Sequence, residues 1–173
     1  VDVTTSIDTD RLQLRPWRFG EHEALHALTA DDTVRRFLGR EPPSLEDSFN
    51  RLLRNGGSWH FLGWGIFAAI ERASGEIVGN CGLFRSLRGL GDDFDPYPEA
   101  GWIVAGNRWG RGYAGEAMTA VLAWFDKEHG GGRTVAMISP GNTASERLGA
   151  RLGYRAFRDA EYKDDPVRLY ARG

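Results

Sequence analysis

In the run GNRWGRGYAGEA, residues 106–117, Gly110 and Gly112 fall where the alternating stretch EAGWIVA gives way to helical spacing. Ala114, Ala117, Met118, Val121, Leu122 and Phe125 recur at three- and four-residue steps, which marks one buried stripe of a helix ending near Gly130. A turn between a strand and a helix N-terminus offers backbone N–H groups and a favourable dipole to negative charge, and glycines let a ligand come close. Trp109, Gly110, Arg111, Gly112, Tyr113, Ala114 and Gly115 therefore read as a phosphate cradle. The segment from Gly110 to Gly115 spells G-x-G-x-x-G. The dinucleotide fingerprint, however, opens a first βαβ unit and places an acidic residue about 20 positions on. Here the loop lies late in the chain, and only Asp126 and Glu128 follow within the same helix. No Gly-Lys-Ser/Thr is present, which excludes a Walker A loop.

Three other stretches could do chemistry. His22, Glu23 and His26 in HEALH match H-E-x-x-H, where two histidines share a helix face around zinc and the glutamate activates water. No third ligand follows at a recognisable spacing, so solvated histidines are the competing reading. Cys81 lies in the apolar run IVGNCGLF, as a small buried hydrophobe or as a nucleophile without a histidine partner at a familiar spacing. Asp92, Asp93 and Asp95 in GLGDDFDPYP form either a solvated loop or an anionic rim that draws in a cationic amine. His60 is read as structural or as a substrate contact.

The elements that must position these groups fit one domain of 173 residues with an ordinary globular composition. A net charge of −2, from 22 basic and 24 acidic side chains, leaves no electrostatic footprint for nucleic acid. No run approaches the roughly 18 apolar residues of a membrane span, and VDVTTSIDTD lacks the features of a signal peptide. A single cysteine suits a cytoplasmic protein.

RLQLRPW, residues 11–17, alternates as an edge strand ended by Pro16. A short helix over Glu21–Ala30 follows, then a turn capped by Asp31, Asp32 or Thr33 that buries Val34, Phe37 and Leu38 and closes at Gly39. Ser44 and Asp47 predict a capping box for a helix burying Leu45, Phe49, Leu52 and Leu53 and ending at Asn55, Gly56 and Gly57. Strands are predicted over 59–72, 76–85, 99–104, 134–138 and 167–172. A last helix opens at Asn142 and Thr143, with Thr143 and Glu146 as a capping box and Leu148 and Leu152 as its buried face.

The loop resembles the acetyl-CoA loop of the GCN5-related N-acetyltransferase (GNAT) family, Gln/Arg-x-x-Gly-x-Gly/Ala. Gly112 and Ala114 fill the last two fixed places, and Trp109 stands where Gln or Arg is commonest. Thr9, Arg11, Leu12, Leu14, Arg15, Pro16 and Trp17 are similar to the opening of the ribosomal-protein alanine and serine N-acetyltransferase subgroup (RimJ/RimL-like). NTASERLGARLGY resembles its N-x-x-S…G-F/Y segment. The resemblance implies a single α/β (α+β) domain over 9–173 after a tail of 1–8. Its central sheet would be mixed and mostly antiparallel, with about six to seven strands flanked by helices. Two parallel strands would splay apart around the pantetheine arm.

It also implies acetyl-CoA as co-substrate, no metal, and transfer to a primary amine, either a peptide N-terminus or a small molecule. The resemblance makes a homodimer a further expectation. Glu99, in EAGW, matches the subgroup's strand glutamate and is the candidate base, direct or through water. The N–H groups of Trp102, Ile103 and Val104 are candidate oxyanion donors. Asn142 is placed on the pantetheine, and Ser145 is the candidate proton donor to the thiolate, because the place many relatives fill with tyrosine is Gly149. Two other readings stand beside this one: a non-catalytic acyl-CoA binding protein, and a zinc hydrolase through HEALH.

Overall fold

Apolar residues alternating over Leu12–Pro16 produce a strand with one buried face, and the mostly apolar runs Ile66–Glu71 and Ile77–Phe84 produce strands buried on both faces. The computed structural model describes residues 4–38 and 41–173. In chain order these form β1 (Ile7–Asp8), β2 (Leu12–Pro16), α1 (His22–Ala30), α2 (Asp32–Arg35), α3 (Leu45–Leu62), β3 (Ile66–Glu71) and β4 (Ile77–Phe84). There follow β5 (Glu99–Val104), a 3-10 turn (Gly106–Arg108), α4 (Tyr113–His129), β6 (Thr134–Ile138), α5 (Thr143–Arg151), β7 (Arg155–Tyr162) and β8 (Asp165–Arg172).

One mixed sheet holds eight strands in the order β1-β2-β3-β4-β5-β6-β8-β7. Every neighbouring pair is antiparallel except β5 and β6. The count exceeds the expected six to seven for two reasons. Ile7 and Asp8, inside the stretch read as a tail, pair with Leu14 and Gln13, so β2 is not the edge. β7 is almost wholly exposed, so no buried alternation marks it, and its pairing with β8 makes it a strand.

The sheet separates a core under α4, built on Leu12, Leu14, Phe67, Met118 and Val121, from one under α1 and α3 built on Trp17, Leu25, Leu52, Ile66 and Ala68. A third, of Phe94, Val135, Val167 and Leu169, lies where residues 90–97 cover β6 and β8.

Helix α3 corrects the sequence reading most. Its Ser44–Asp47 capping box forms as predicted, but Gly56 and Gly57 do not stop it, and it runs to a left-handed Gly63. Trp59 is the reason. It is buried, its ring meets Phe67 edge-on at 4.8 Å, and its Nε1 donates to the Ile66 carbonyl at 3.0 Å. That anchorage outweighs the roughly 1 kcal/mol each glycine costs a helix interior. The strand predicted from residue 59 therefore starts at Ile66, and His60 sits exposed on the helix against Phe61. Leu45 and Leu53, expected in the core, are exposed because α3 turns Ser48, Leu52, Asn55 and Trp59 inward instead, and Leu38, in the turn after α2, is exposed too. Asp31 caps α2 through the N–H groups of Thr33 and Val34, and Gly39 lies outside the described residues.

Candidate active site

β5 and β6 start together and part at once. Their register contains a single pair, Glu99 with Val135, and the Val135 N–H donates to the Pro98 carbonyl at 2.9 Å. Beyond that point the strands diverge into a slot. Directions along β5 follow from its other neighbour: Ala105 donates to Val78, so Ile103 and Gly101 also face β4. Trp102 and Val104 are left to present N–H groups to the slot. Ile103, expected among the oxyanion donors, spends its N–H on the ladder.

The cradle stands at the open end. Gly110 and Gly112 have φ of 74° and 81°, which side chains other than glycine rarely adopt. Gly112 is the N-cap of α4 and no side chain caps this helix, so its first N–H groups remain available to a ligand. A Cβ at Gly110 would meet nothing within 4 Å. Trp109 explains its departure from the family pattern: its Nε1 donates to the Val104 carbonyl at 2.7 Å, fastening the loop to the end of β5. Arg11, just before β2, reaches to the Arg111 carbonyl at 2.8 Å, while Glu116 accepts from Thr9 Oγ1 at 2.6 Å and Arg11 Nε at 2.7 Å. Tyr113 donates its hydroxyl to Glu71 at 2.5 Å, which also accepts from Ser74 and Arg108. Those bonds hold the Glu71 carboxyl at about 2, with the tyrosine hydroxyl as the largest cause.

On the far wall, Asn142 rather than Thr143 caps α5, its Oδ1 accepting from the Ser145 N–H at 3.2 Å. The Thr143–Glu146 capping box does not form, because the asparagine takes the N-cap place one residue earlier. Asn142 keeps its amide N–H₂ for a ligand. Ser145 Oγ accepts from Trp102 Nε1 at 3.2 Å, which leaves its own proton free to be donated. A Cβ at Gly149 would meet Ile138 Cδ1 at 3.5 Å, Tyr154 Cβ at 3.8 Å and Trp102 Cη2 at 4.0 Å. The tyrosine that is present, Tyr154, is buried against Thr134, and burial pushes its hydroxyl up to about 12.

Glu99 is buried rather than solvated at an edge, and Arg88 holds both of its oxygens, at 2.8 Å and 2.9 Å. Arg88 in turn lies over the Tyr162 ring, 4.7 Å from its centroid. Sequence reasoning missed this arginine, since nothing local distinguishes it from other charged loop residues. The acidic loop is spent on structure. Asp93 takes Arg158 in a two-pronged pair, and Asp95 accepts the N–H groups of Arg88, Gly89 and Leu90. Of the three, Asp92 alone stays in solvent, with no hydrogen bond or ion pair among the described residues.

HEALH does not assemble a ligand set. His26 Nδ1 bonds Ser48 Oγ at 3.0 Å, His22 packs edge-on against Phe49, and the described residues contain no group of three or more His, Cys, Asp or Glu placed to share a metal. Cys81 is fully buried, and burial pushes its thiol up to about 12, far from a nucleophile's range.

A parallel strand pair splayed around a slot, with an uncapped glycine-bounded helix at its mouth, defines a class of coenzyme A-dependent transferase. Residues 11–155 match the family model described as an acetyltransferase (GNAT) domain, and the chain belongs to this family. It is an acetyl-CoA-dependent acetyltransferase. A Bordetella pertussis structure assigned to the GNAT acetyltransferases is 33% identical, covers 97% of this chain and 99% of its own, and has a TM-score of 0.86. The Bacillus subtilis (strain 168) N-acetyltransferase YnaD, itself uncharacterised, is 26% identical over 149 residues, 86% of this chain and 82% of its own. RimL, a ribosomal L7/L12 α-N-protein acetyltransferase solved in complex with coenzyme A, shares the fold at a TM-score of 0.76 and 16% identity, over 97% of each chain.

Proposed function

We propose that the chain transfers the acetyl group of acetyl-CoA to a primary amine, a peptide N-terminus or a small molecule. The observation that carries this reading is the slot between β5 and β6, whose single bridge leaves backbone N–H groups on Trp102 and Val104 facing the cradle of α4. An amide-bearing arm lying there satisfies those groups as an added strand would. The cradle from Gly110 to Gly115 fits a pyrophosphate, and the amide of Asn142 fits the arm's own amides. When bound, acetyl-CoA supplies an activated thioester carbonyl; the rest is the work of the chain.

Holding the amine against that carbonyl removes several kcal/mol of barrier without any catalytic side chain. The Trp102 N–H, nearer Glu99, stabilises the negative charge that develops on the oxygen, and the Val104 N–H, nearer the cradle, is the one the arm takes. Glu99 has two of its roughly four acceptor positions on Arg88, so it takes the amine's proton through a water rather than by direct contact. An α-amine near pKa 7.7–8.0 is partly neutral at pH 7 and asks little of such a base. Ser145 delivers a proton to the departing thiolate.

The test is thiol release from acetyl-CoA by the purified chain supplied with peptides and small amines, with the acetylated nitrogen identified by mass spectrometry. Release that depends on the amine is expected. Coenzyme binding without release from any acceptor would replace this reading with a non-catalytic one.

A further inference from the structure

Arg51 is a partly buried cation that holds no carboxylate among the described residues. It extends from α3 into a cavity of about 60 Å³ lined also by Thr29, Arg35, Leu38, Glu41 and Pro43. Arg15, Arg35, Arg88 and Arg158 each hold a carboxylate, whereas Arg51 has no hydrogen bond or ion pair among the described residues. Burial lowers its pKa, and the positive charges of Arg54 and Arg88 lower it further, with Asp47 offsetting only the smallest part. A guanidinium keeps its charge under these conditions, so a partly desolvated cation stands uncompensated.

Its position connects it with the reaction. Arg51 adjoins Leu52, whose core cluster also takes in the Phe84 ring; Arg88 lies over that ring, 5.9 Å from its centroid, and grips Glu99 beside the start of the slot. The acidic loop, where a lure for a cationic amine is one expectation, spends Asp93 on Arg158 and Asp95 on backbone N–H groups.

We propose that Arg51 receives an oxyanion, a carboxylate or a phosphate, carried on the same molecule as the acceptor amine. This rests on the acetyl-transfer reading above and narrows its acceptor. A volume equal to about two waters takes one anionic group and not a whole substrate, so the amine-bearing remainder extends out of the cavity. The planar guanidinium matches either oxyanion with two parallel hydrogen bonds. Glu41 stands exposed on the same wall with no ion pair among the described residues, which makes it the internal competitor for Arg51.

The test compares kcat/KM, by thiol release, for alanyl-glutamate amide, alanyl-glutamine amide and alanyl-lysine amide, and for phosphoethanolamine against ethanolamine. In at least one series the anionic acceptor is expected to exceed its neutral partner roughly 10- to 100-fold, and the series that shows it identifies carboxylate or phosphate. Arg51→Met should abolish that preference through KM while leaving the neutral acceptor within about twofold, Arg51→Lys should keep part of it, and Glu41→Gln should sharpen it. Unchanged coenzyme A affinity shows that a variant is folded, and if Arg51→Met fails that check the Lys and Gln variants decide. Equal turnover of neutral and anionic acceptors, a preference for the lysine peptide, or loss with Arg51→Met that is the same for every acceptor would overturn the proposal. If no acceptor is turned over, the acetyl-transfer reading falls separately. Calorimetry of alanyl-glutamate amide and phosphoethanolamine with the coenzyme-bound chain then decides: binding lost in Arg51→Met sustains the oxyanion site, and no binding overturns it.

Discussion

Ser145 is the proposed proton donor, and its surroundings leave one function open to its hydroxyl. Its oxygen accepts from Trp102 Nε1 and its backbone N–H is held by Asn142, so its proton is the part left unassigned. A coenzyme A thiol titrates near the 8.5 of a cysteine and leaves fairly well unaided, so a general acid has limited work to do. Ser145→Ala should lower kcat at saturating substrates by roughly tenfold or less while coenzyme affinity changes little. Steady-state kinetics beside direct binding of coenzyme A would check this. Gly112, Asn142 and Glu99 were legible in the sequence because each sits at a fixed place in a local pattern. Arg88 and Arg51 were not, because each is one of 22 basic side chains and its meaning comes from residues on other elements.

Between elements, Glu71 works as a clamp. It ends β3 and accepts from Tyr113 at the head of α4, from Ser74 in the hairpin turn and from Arg108 in the 3-10 turn, so the sheet holds the cradle from below. Its folded pKa, about 2, lies under the ordinary 4.5. A depressed carboxylate contributes stability that is complete above about 4.5 and lost as pH falls toward about 2. The thermal midpoint should therefore drop between pH 7 and pH 3, and Glu71→Gln should shrink that gap by removing the titrating group, as differential scanning calorimetry at both pH values would show. β5, α4 and β6 match their sequence-predicted bounds closely, because unbroken periodicity and a terminal glycine mark them. The end of α3 was hidden, because Gly56 and Gly57 carry a local stop signal that only the distant packing of Trp59 overrides.

For the molecule as a whole, sheet continuity is the feature with the widest reach. Seven neighbour contacts join eight strands, and six of them are ladders of two or more pairs; the seventh, between β5 and β6, is one pair. The family's overall plan was legible from three motifs and the strand pattern, and what stayed hidden were the two outer strands: β1, only two residues long, and β7, whose residues carry no burial signal.

That lone rung places a mechanical fault line where the coenzyme is proposed to lie. Whatever fills the gap becomes a structural member, tying the three C-terminal strands to the five before them. Resistance to proteolysis of the segment after Thr134 should climb with coenzyme concentration along the binding curve itself, by mass action. Durability of the fold and supply of the acetyl carrier would then be one quantity, so that a starved cell keeps less of this protein.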